Sequence, residues 1–283
     1  AGVLDDLREI RPRTKVLAEV LAAAFLVGWG GLEVPHLGHW PGLGVLELGW
    51  LAVPFTFLCV VGLVNAVNML DGADGLAGGV YLVMLGWLLV VAWLGGHPQT
   101  TELPVILLGS VFGFLLFNFP HPWRGPASIF LGDAGSLFLG FSLAWFALDV
   151  TFAGSAMAPP VTTAWILGLP VFDTVSLMVR RLLKGKTPME PDREHLHHIF
   201  QRAGFSHRGT VYLVTALALG MGAVGVLGWL LEVPDWVMLA AWLLAFAGHI
   251  YFVQHAWRMV RAMKWIRGRS GKARGIPPRR GSG

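Results

Sequence analysis

Asn65-Ala-Val-Asn-Met-Leu-Asp-Gly-Ala-Asp-Gly-Leu-Ala-Gly-Gly79 is the stretch whose reading decides the fold. It separates two apolar runs, Leu51–Val64 and Val80–Leu94, that read as bilayer-crossing segments. Two Asn and two Asp are expensive there, because a carboxylate at the middle of a membrane helix costs roughly 2.5–3.5 kcal/mol on insertion scales. Such residues sit at the membrane surface or do chemistry, and the interleaved glycines point to both. Asn65 and Asn68 are spaced to share one helix face. Asp71-Gly72 and Asp74-Gly75 predict a helix end opening into a tight polar turn. A buried structural turn uses one such pair; two pairs beside two amides point to a ligand.

Working outward, the 283 residues are 55% hydrophobic and only 13% charged, with a mean hydropathy of +0.62. Soluble domains carry about 25% charged residues, so this chain lacks the polar surface to stay in water. The expected fold is all-α: a polytopic bundle of transmembrane helices. Cys59, the one cysteine, lies in an apolar run and reads as packing, with no intrachain disulfide open to it. No cleavable signal peptide is visible, and the abrupt polar start at Ala1 suggests that residues upstream are missing.

Eight candidate spans follow from the apolar pattern, at about 16–32, 48–64, 77–95, 103–119, 134–150, 160–179, 210–231 and 236–256. The 21 Lys and Arg fall at 8–15, 124, 180–193, 202–208 and 258–280. With eight spans these segments share one side, while the opposite loops hold Glu33, Glu102, Glu232 and Asp235 and no Lys or Arg. By the positive-inside rule the basic side is cytoplasmic, as are both chain ends. Residues 1–257 then form one catalytic domain and 258–283 a basic tail. That tail reads as a juxtamembrane segment attracted to anionic lipid and not as a nucleic-acid patch. The Gly- and Pro-rich segment from His36 to Leu46 is expected outside, as a short hairpin or surface loop.

In this topology every unusual polar cluster is cytoplasmic: Asp5-Asp6 with Lys15, the Asn65–Gly79 segment, Asn118 with Phe130-Leu-Gly-Asp133-Ala-Gly-Ser136, and Pro191-Asp-Arg193-Glu-His195-Leu-His197-His198. Each has a bland reading taken alone. Asp5-Asp6 suits a solvated helix cap, and Gly132–Ser136 suits an N-cap with small packing residues. The histidines fit tetrahedral zinc only loosely, and no cysteines accompany them. His207 reads as a loop residue, and Asp173, inside a span, as a carboxylate paired to Arg180 or to backbone. Together, carboxylates without thiolates select Mg²⁺ or Mn²⁺. The adjacent Arg, Lys and His suit diphosphate oxygens. Phe130, Asn68 and Asn118 offer the aromatic face and amides that a nucleobase needs. The residues thus point to metal-dependent phosphoryl transfer at the membrane surface.

The same four strings, Asp5-Asp6, Asn65-x-x-Asn68-x-x-Asp71-Gly-x-Asp74-Gly-Leu, Phe130-x-Gly-Asp133-x-Gly-Ser and Asp192-Arg-x-His195-x-His-His198, resemble the polyprenyl-phosphate N-acetylhexosamine-1-phosphate transferase superfamily (glycosyltransferase family 4) in its motif order. The Asp-Arg-x-His-Leu-His-His string resembles the branch that makes undecaprenyl-diphosphate-GlcNAc from UDP-N-acetylglucosamine. The muramoyl-pentapeptide branch instead shows consecutive histidines followed by an acid. The resemblance implies about three further N-terminal helices, absent from this chain, and a multi-pass protein of the bacterial inner membrane. It implies Asp133 as principal Mg²⁺ ligand, with Asp5 and Asp6 facing the lipid phosphate and Asp6 also reaching the metal. Asp71, Gly72, Ala73 and Asp74 would line a uridine pocket, with Asn65 and Asn68 beside them, Phe130 stacking on uracil and Asn118 nearby. Arg193, His195, His197 and His198 would hold the sugar and diphosphate, and Lys15 the lipid phosphate. The implied partners are a UDP-N-acetylhexosamine, a polyprenyl phosphate and a candidate second copy of the chain.

The reaction so implied is attack by a polyprenyl phosphate on the sugar-linked phosphorus of UDP-GlcNAc, releasing UMP. Both reactants are anionic, and two unit charges 4 Å apart repel by roughly 4 kcal/mol at an effective dielectric near 20. Charge neutralisation therefore outweighs base catalysis, since a phosphomonoester with a second pKa of about 6 is already ionised at neutral pH. A rival of another class is a secondary transporter with intramembrane acids. It places its site near the midplane between repeats, and no second copy of the Asn-Asp-Gly segment exists. Muramoyl-pentapeptide transfer, or another UDP-N-acetylhexosamine, is the rival among enzymes.

Overall fold

The computed structural model describes residues 1–8, 10–96, 101–119, 127–152, 158–185, 187 and 195–273, with backbone alone for 266–273. Its described residues are mostly helical. A short α1 (Gly2–Leu7) precedes α2 (Pro12–Gly28), where Pro12 opens the helix because its missing N–H would be unsatisfied anyway. A hairpin of β1 (His36–Trp40) and β2 (Gly44–Glu47) follows, paired antiparallel with Trp40 opposite Gly44. The expected turn at His36–Leu46 is therefore a true hairpin. It docks on Asp235, whose Oδ2 accepts the His39 N–H at 2.8 Å.

The bundle proper is α3 (Ala52–Leu70), α4 (Leu76–Leu94), α5 (Glu102–Asn118), α6 (Gly132–Phe152), α7 (Pro160–Ile166), α8 (Gly168–Leu183), α9 (Leu196–Arg202), α10 (His207–Leu230), α11 (Asp235–Gln254) and α12 (Ala256–Ala273). Helix α6 is central, with 67% of its apolar window buried, whereas α11 is peripheral with 11%. Backbone contact between α3 and α6 depends on Gly140, where a Cβ would stand 2.8 Å from the Val64 Cα. Tyr81 of α4 reaches the same helix through a buried 2.9 Å hydrogen bond with Ser142. Large apolar side chains such as Phe25, Trp93, Phe112 and Leu244 remain exposed around the bundle. That surface suits lipid.

Among the described residues, five helices are long and apolar enough to cross a membrane, and six if the bent pair α7–α8 is one span. The expected eight are thus five or six by length and composition. The other two, α2 and α5, have 17 residues each, at the lower limit for spanning, and α2 also carries Lys15 and Glu19. The span expected at 160–179 is broken, with α7 and α8 meeting at 73°. Pro170 explains the break: it has no N–H for the Ile166 carbonyl, and its ring crowds that oxygen. The basic tail is in part helical, since α12 begins before the expected boundary at 258.

Candidate active site

The C-terminal end of α3 carries Asn65 and Asn68 inward, and its last turn opens at Asp71. The loop then turns at Gly75, whose φ of 79° is left-handed and favours glycine. The Gly75 N–H donates to Asn118 Oδ1 at 2.7 Å, and Asn118 Nδ2 donates to the Ile129 carbonyl at 2.8 Å. Asn118 thus pins the polar loop to the end of α5 and to the strand of chain leading into α6. Both ends of its amide are spent on backbone.

Asp133 lies in the first turn of α6, and three elements converge on it. Asn68 Nδ2 donates to Asp133 Oδ1 at 3.0 Å and to Ser136 Oγ at 2.8 Å. The Lys15 ammonium pairs with both Asp133 Oδ2 and Asp5 Oδ2. Asp6 accepts the N–H of Asp133 at 2.8 Å and of Ala134 at 3.0 Å, capping α6 from a separate helix. This capping is why Gly132 has no side chain: a Cβ there would stand 2.9 Å from Asp6 Oδ2. Asp5 is held well below the ordinary carboxylate range by hydrogen bonding with Asp133, then by Lys15 and the Ile10 N–H. Lys15 is raised: partial burial pulls it down, but its bonds to Asp133 and Asp5 prevail. Asp71 is pushed up to about 7 by burial and by the charges of Asp133, Asp74 and Asp6.

The histidines come to the same place from α9. Asp173 of α8 accepts from His195 Nδ1 and from the Leu196 N–H, both at 2.9 Å. His197 stacks beside His195 at 5.7 Å and contacts His198 at 4.1 Å between ring centroids. It is 2% exposed, and neither ring nitrogen has a hydrogen-bond partner among the described residues. Burial, then the charges of His198 and His195, push it down to about 4. His197 is therefore neutral at physiological pH. Its ring lies on Gly72, where a Cβ would stand 2.8 Å from Cε1. His207, at the start of α10, bonds the Asp74 carbonyl at 3.0 Å. The Asn-Asp loop is thus gripped between α5, α9 and α10.

The sequence profile described as "Glycosyl transferase family 4" matches residues 1–151. The undecaprenyl-phosphate alpha-N-acetylglucosaminyl 1-phosphate transferase of Yersinia pestis is 34% identical over 273 residues, 96% of this chain and 74% of that protein. The protein of that name from Escherichia coli K12 is 33% identical, over 98% of this chain and 76% of its own length. The Haemophilus influenzae protein is 32% identical over 94% and 74%. The chain belongs to glycosyl transferase family 4.

Of the expected family positions, Asp5, Asp6, Lys15, Asn68, Asp71 and Asp133 meet in one cluster, linked by the contacts above. Gly72 and Asp74 join it to His197 and His207, with Ala73 between them on the same loop. Phe130 is 77% exposed at the mouth of α6, with its ring faces open. Asn65 turns instead to Glu19 of α2 and to the Val61 carbonyl. Arg193 lies outside the described residues, as does Asp192. Asp173 accepts the Leu196 backbone N–H, the backbone partner expected for it, and pairs besides with His195, which was not expected. Glu19, Asp173 and His207 escaped the sequence reading as site residues. Glu19 and Asp173 gave one signal, a carboxylate within a largely apolar helix; His207 gave none.

Among the described residues, no three His, Cys, Asp or Glu side chains stand close enough together to hold a metal ion. The donor set nevertheless suits a hard divalent cation: all its acids are oxygen donors, and Asp71 is pushed up partly by the charge of its acidic neighbours. Mg²⁺ bound by one or two carboxylates completes its shell with water and substrate phosphate, so a pair of acids suffices.

Proposed function

We propose that this chain transfers N-acetylglucosamine 1-phosphate from UDP-GlcNAc to undecaprenyl phosphate, releasing UMP. Its relatives are named for the transfer of N-acetylglucosaminyl 1-phosphate to undecaprenyl phosphate. The observation that carries the reading here is Asp133 at the head of α6, bound at once by Lys15, Asn68 and, through its own N–H, Asp6. Five acids and one lysine around a helix N-terminus suit a cation and a diphosphate together. In this reading α2 and α5 also cross, as short spans beside the longer ones, which would put the basic segments on one side and the site on the cytoplasmic face of the inner membrane.

Asp133 is the principal ligand for Mg²⁺ in this reading. Asp71 is the better second candidate, because both Asp6 oxygens already accept backbone N–H groups. The ion, when bound, withdraws charge from the diphosphate and so eases attack at phosphorus. Lys15 stands between Asp5 and Asp133 and can pass to an incoming lipid phosphate, exchanging one anionic partner for another. Asp5, bound by an ammonium and held below the ordinary range, is a poor base and a poor nucleophile. That favours direct attack by the lipid phosphate over an aspartyl-phosphate intermediate. Neutral His197, with two unsatisfied nitrogens, suits hydrogen bonding to sugar or phosphate oxygens. Phe130 offers its exposed ring to uracil.

The deciding experiment incubates the protein with undecaprenyl phosphate, Mg²⁺ and a panel of UDP-sugars and measures UMP. Release with UDP-GlcNAc, abolished by Asp133→Asn, is the expected result. Robust activity in that variant removes the metal assignment, and no UMP from any UDP-sugar removes the reaction class.

A further inference from the structure

At the end of the bundle opposite the acidic cluster lies a cavity of about 700 Å³. Helix α10 measures the separation, running from His207, which bonds the Asp74 carbonyl, to Leu230 at the cavity. Its 24 residues span about 36 Å at 1.5 Å per residue. His39 and Trp40 of the hairpin, Trp229 and Glu232 at the end of α10, and Asp235 and Trp236 at the start of α11 line the cavity. Its volume falls in the range of about 300–1,000 Å³ usual for small-molecule sites.

Glu232 has a φ of 54°, the only positive value among the described non-glycine residues. Its N–H donates to the Trp229 carbonyl at 3.0 Å, and the Val233 N–H donates to the Gly228 carbonyl at 2.9 Å. Glu232 therefore holds the left-handed position after α10 that favours glycine. A side chain there is strained, yet a carboxylate stands at that point of the cavity wall. Asp235 spends Oδ2 on the His39 N–H at 2.8 Å and keeps Oδ1. The hairpin and the loops at this end contain no Lys or Arg. A phosphate or nucleotide would therefore meet like charge and no counter-charge.

The Trp40 indole N–H is buried with no hydrogen-bond partner among the described residues. The lining thus combines carboxylate acceptors, an unspent donor and indole faces. An ammonium suits the carboxylates and the indoles but leaves the Trp40 N–H unsatisfied. A sugar hydroxyl both donates and accepts, and the C–H face of a sugar ring lies well on the electron-rich face of an indole. Interfacial tryptophans at the same end look different: Trp29, Trp50 and Trp93 are 88%, 85% and 71% exposed, whereas Trp40 and Trp229 are half-buried in the cavity wall.

We propose that this cavity binds an uncharged saccharide, at a site separate from the acidic cluster. Glu232 and Asp235 accept from its hydroxyls, and the tryptophans cover its ring faces.

The test uses the full chain in a detergent without a sugar head group and saturation-transfer NMR. The probes are maltose, N,N′-diacetylchitobiose, choline and inorganic phosphate. At least one of the two disaccharides is expected to bind saturably, without displacement by UDP-GlcNAc, choline or phosphate. Glu232→Gly should weaken that binding about tenfold or more, the effect of losing a hydrogen bond to a charged group. The same variant should hold or raise Tm, because glycine suits the left-handed position. Trp93→Phe, which alters an exposed indole at the same end, should leave binding unchanged. No saturable binding of either disaccharide would overturn the proposal. So would displacement by UDP-GlcNAc, which assigns the saccharide to the acidic cluster, or by choline or phosphate, which means an ion site. Equal losses in Glu232→Gly and Trp93→Phe would mean adsorption to interfacial tryptophans and likewise overturn it.

Discussion

Asp173 holds His195 from 22 residues away, its Oδ2 lying 2.9 Å from the imidazole Nδ1 while Oδ1 accepts the Leu196 N–H. Both partners are buried, at 2% and 9% exposure. A carboxylate only accepts hydrogen bonds, so Nδ1 carries the proton. The same carboxylate opens α9, which carries His197 and His198. Asp173→Asn keeps the shape and loses the charge. A hydrogen bond to a charged group contributes about 1.5–3 kcal/mol, so kcat/KM for UMP release should fall roughly ten- to a hundredfold. A folded Asp173→Asn protein with full turnover would remove the positioning role.

Lys15 is the cation that the site supplies to itself, bridging Asp5 and Asp133. Replacing it with Met should abolish transfer, because the lipid phosphate loses its ammonium. It should also tighten divalent-cation binding. A unit charge 4 Å from a divalent ion costs about 8 kcal/mol at an effective dielectric near 20, so even strong screening leaves a gain of about tenfold or more. Calorimetry with Mn²⁺ measures it. Weaker Mn²⁺ binding by Lys15→Met would mean that the lysine and the metal do not share Asp133.

The folded chain holds Asp71 at about 7, against an ordinary 3.8, through burial and the charges of Asp133, Asp74 and Asp6. A carboxylate raised on folding contributes stability that is fully present below pH 3.8 and lost as pH rises through about 7. Ionisation above that pH is therefore destabilising. In chelator, Asp71→Asn should raise Tm at pH 8 and leave it nearly unchanged at low pH. Asp74→Asn should shift the transition downward in pH by removing one repulsive neighbour. Thermal melts across pH 4–9 decide it, and parallel Tm curves for wild type and Asp71→Asn would refute the shared acidic cluster.

Much of this site was legible because polar residues in an apolar chain are conspicuous. Asn68 and Asp71 stood out by cost, Asp5, Lys15 and Asp133 by falling on the same face and in the family's motifs, and the structure joins them. Partnership was not legible. Asn118 carried amide chemistry suited to a base, yet both its ends hold backbone. His207 had no neighbours in sequence and finds Asp74 only after α4 and α10 pack. The count of spans suffered similarly: apolar runs marked the long helices but not α1, α9 or α12, and hydropathy alone did not separate a 17-residue helix from a full crossing, nor show that Pro170 bends α7 from α8.

The contact between Gly72 and His197 is the joint between the Asn-Asp loop and the histidine helix. A Cβ at Gly72 would stand 2.8 Å from His197 Cε1 and 2.9 Å from Nε2, closer than packed atoms allow. Either the ring or the loop must yield, and overpacking of this kind costs about 1–3 kcal/mol. Gly72→Ala should therefore lower Tm and reduce turnover by displacing Asp71 and Asp74 from their places. His197→Ala removes the ring and opens the space. If the two residues are in direct contact, the double variant should be more stable than the sum of the single losses predicts, because the added methyl occupies the vacated volume. A strictly additive cycle, measured by Tm and by UMP release, would show that Gly72 acts through the turn alone and that the loop and α9 are not mechanically joined.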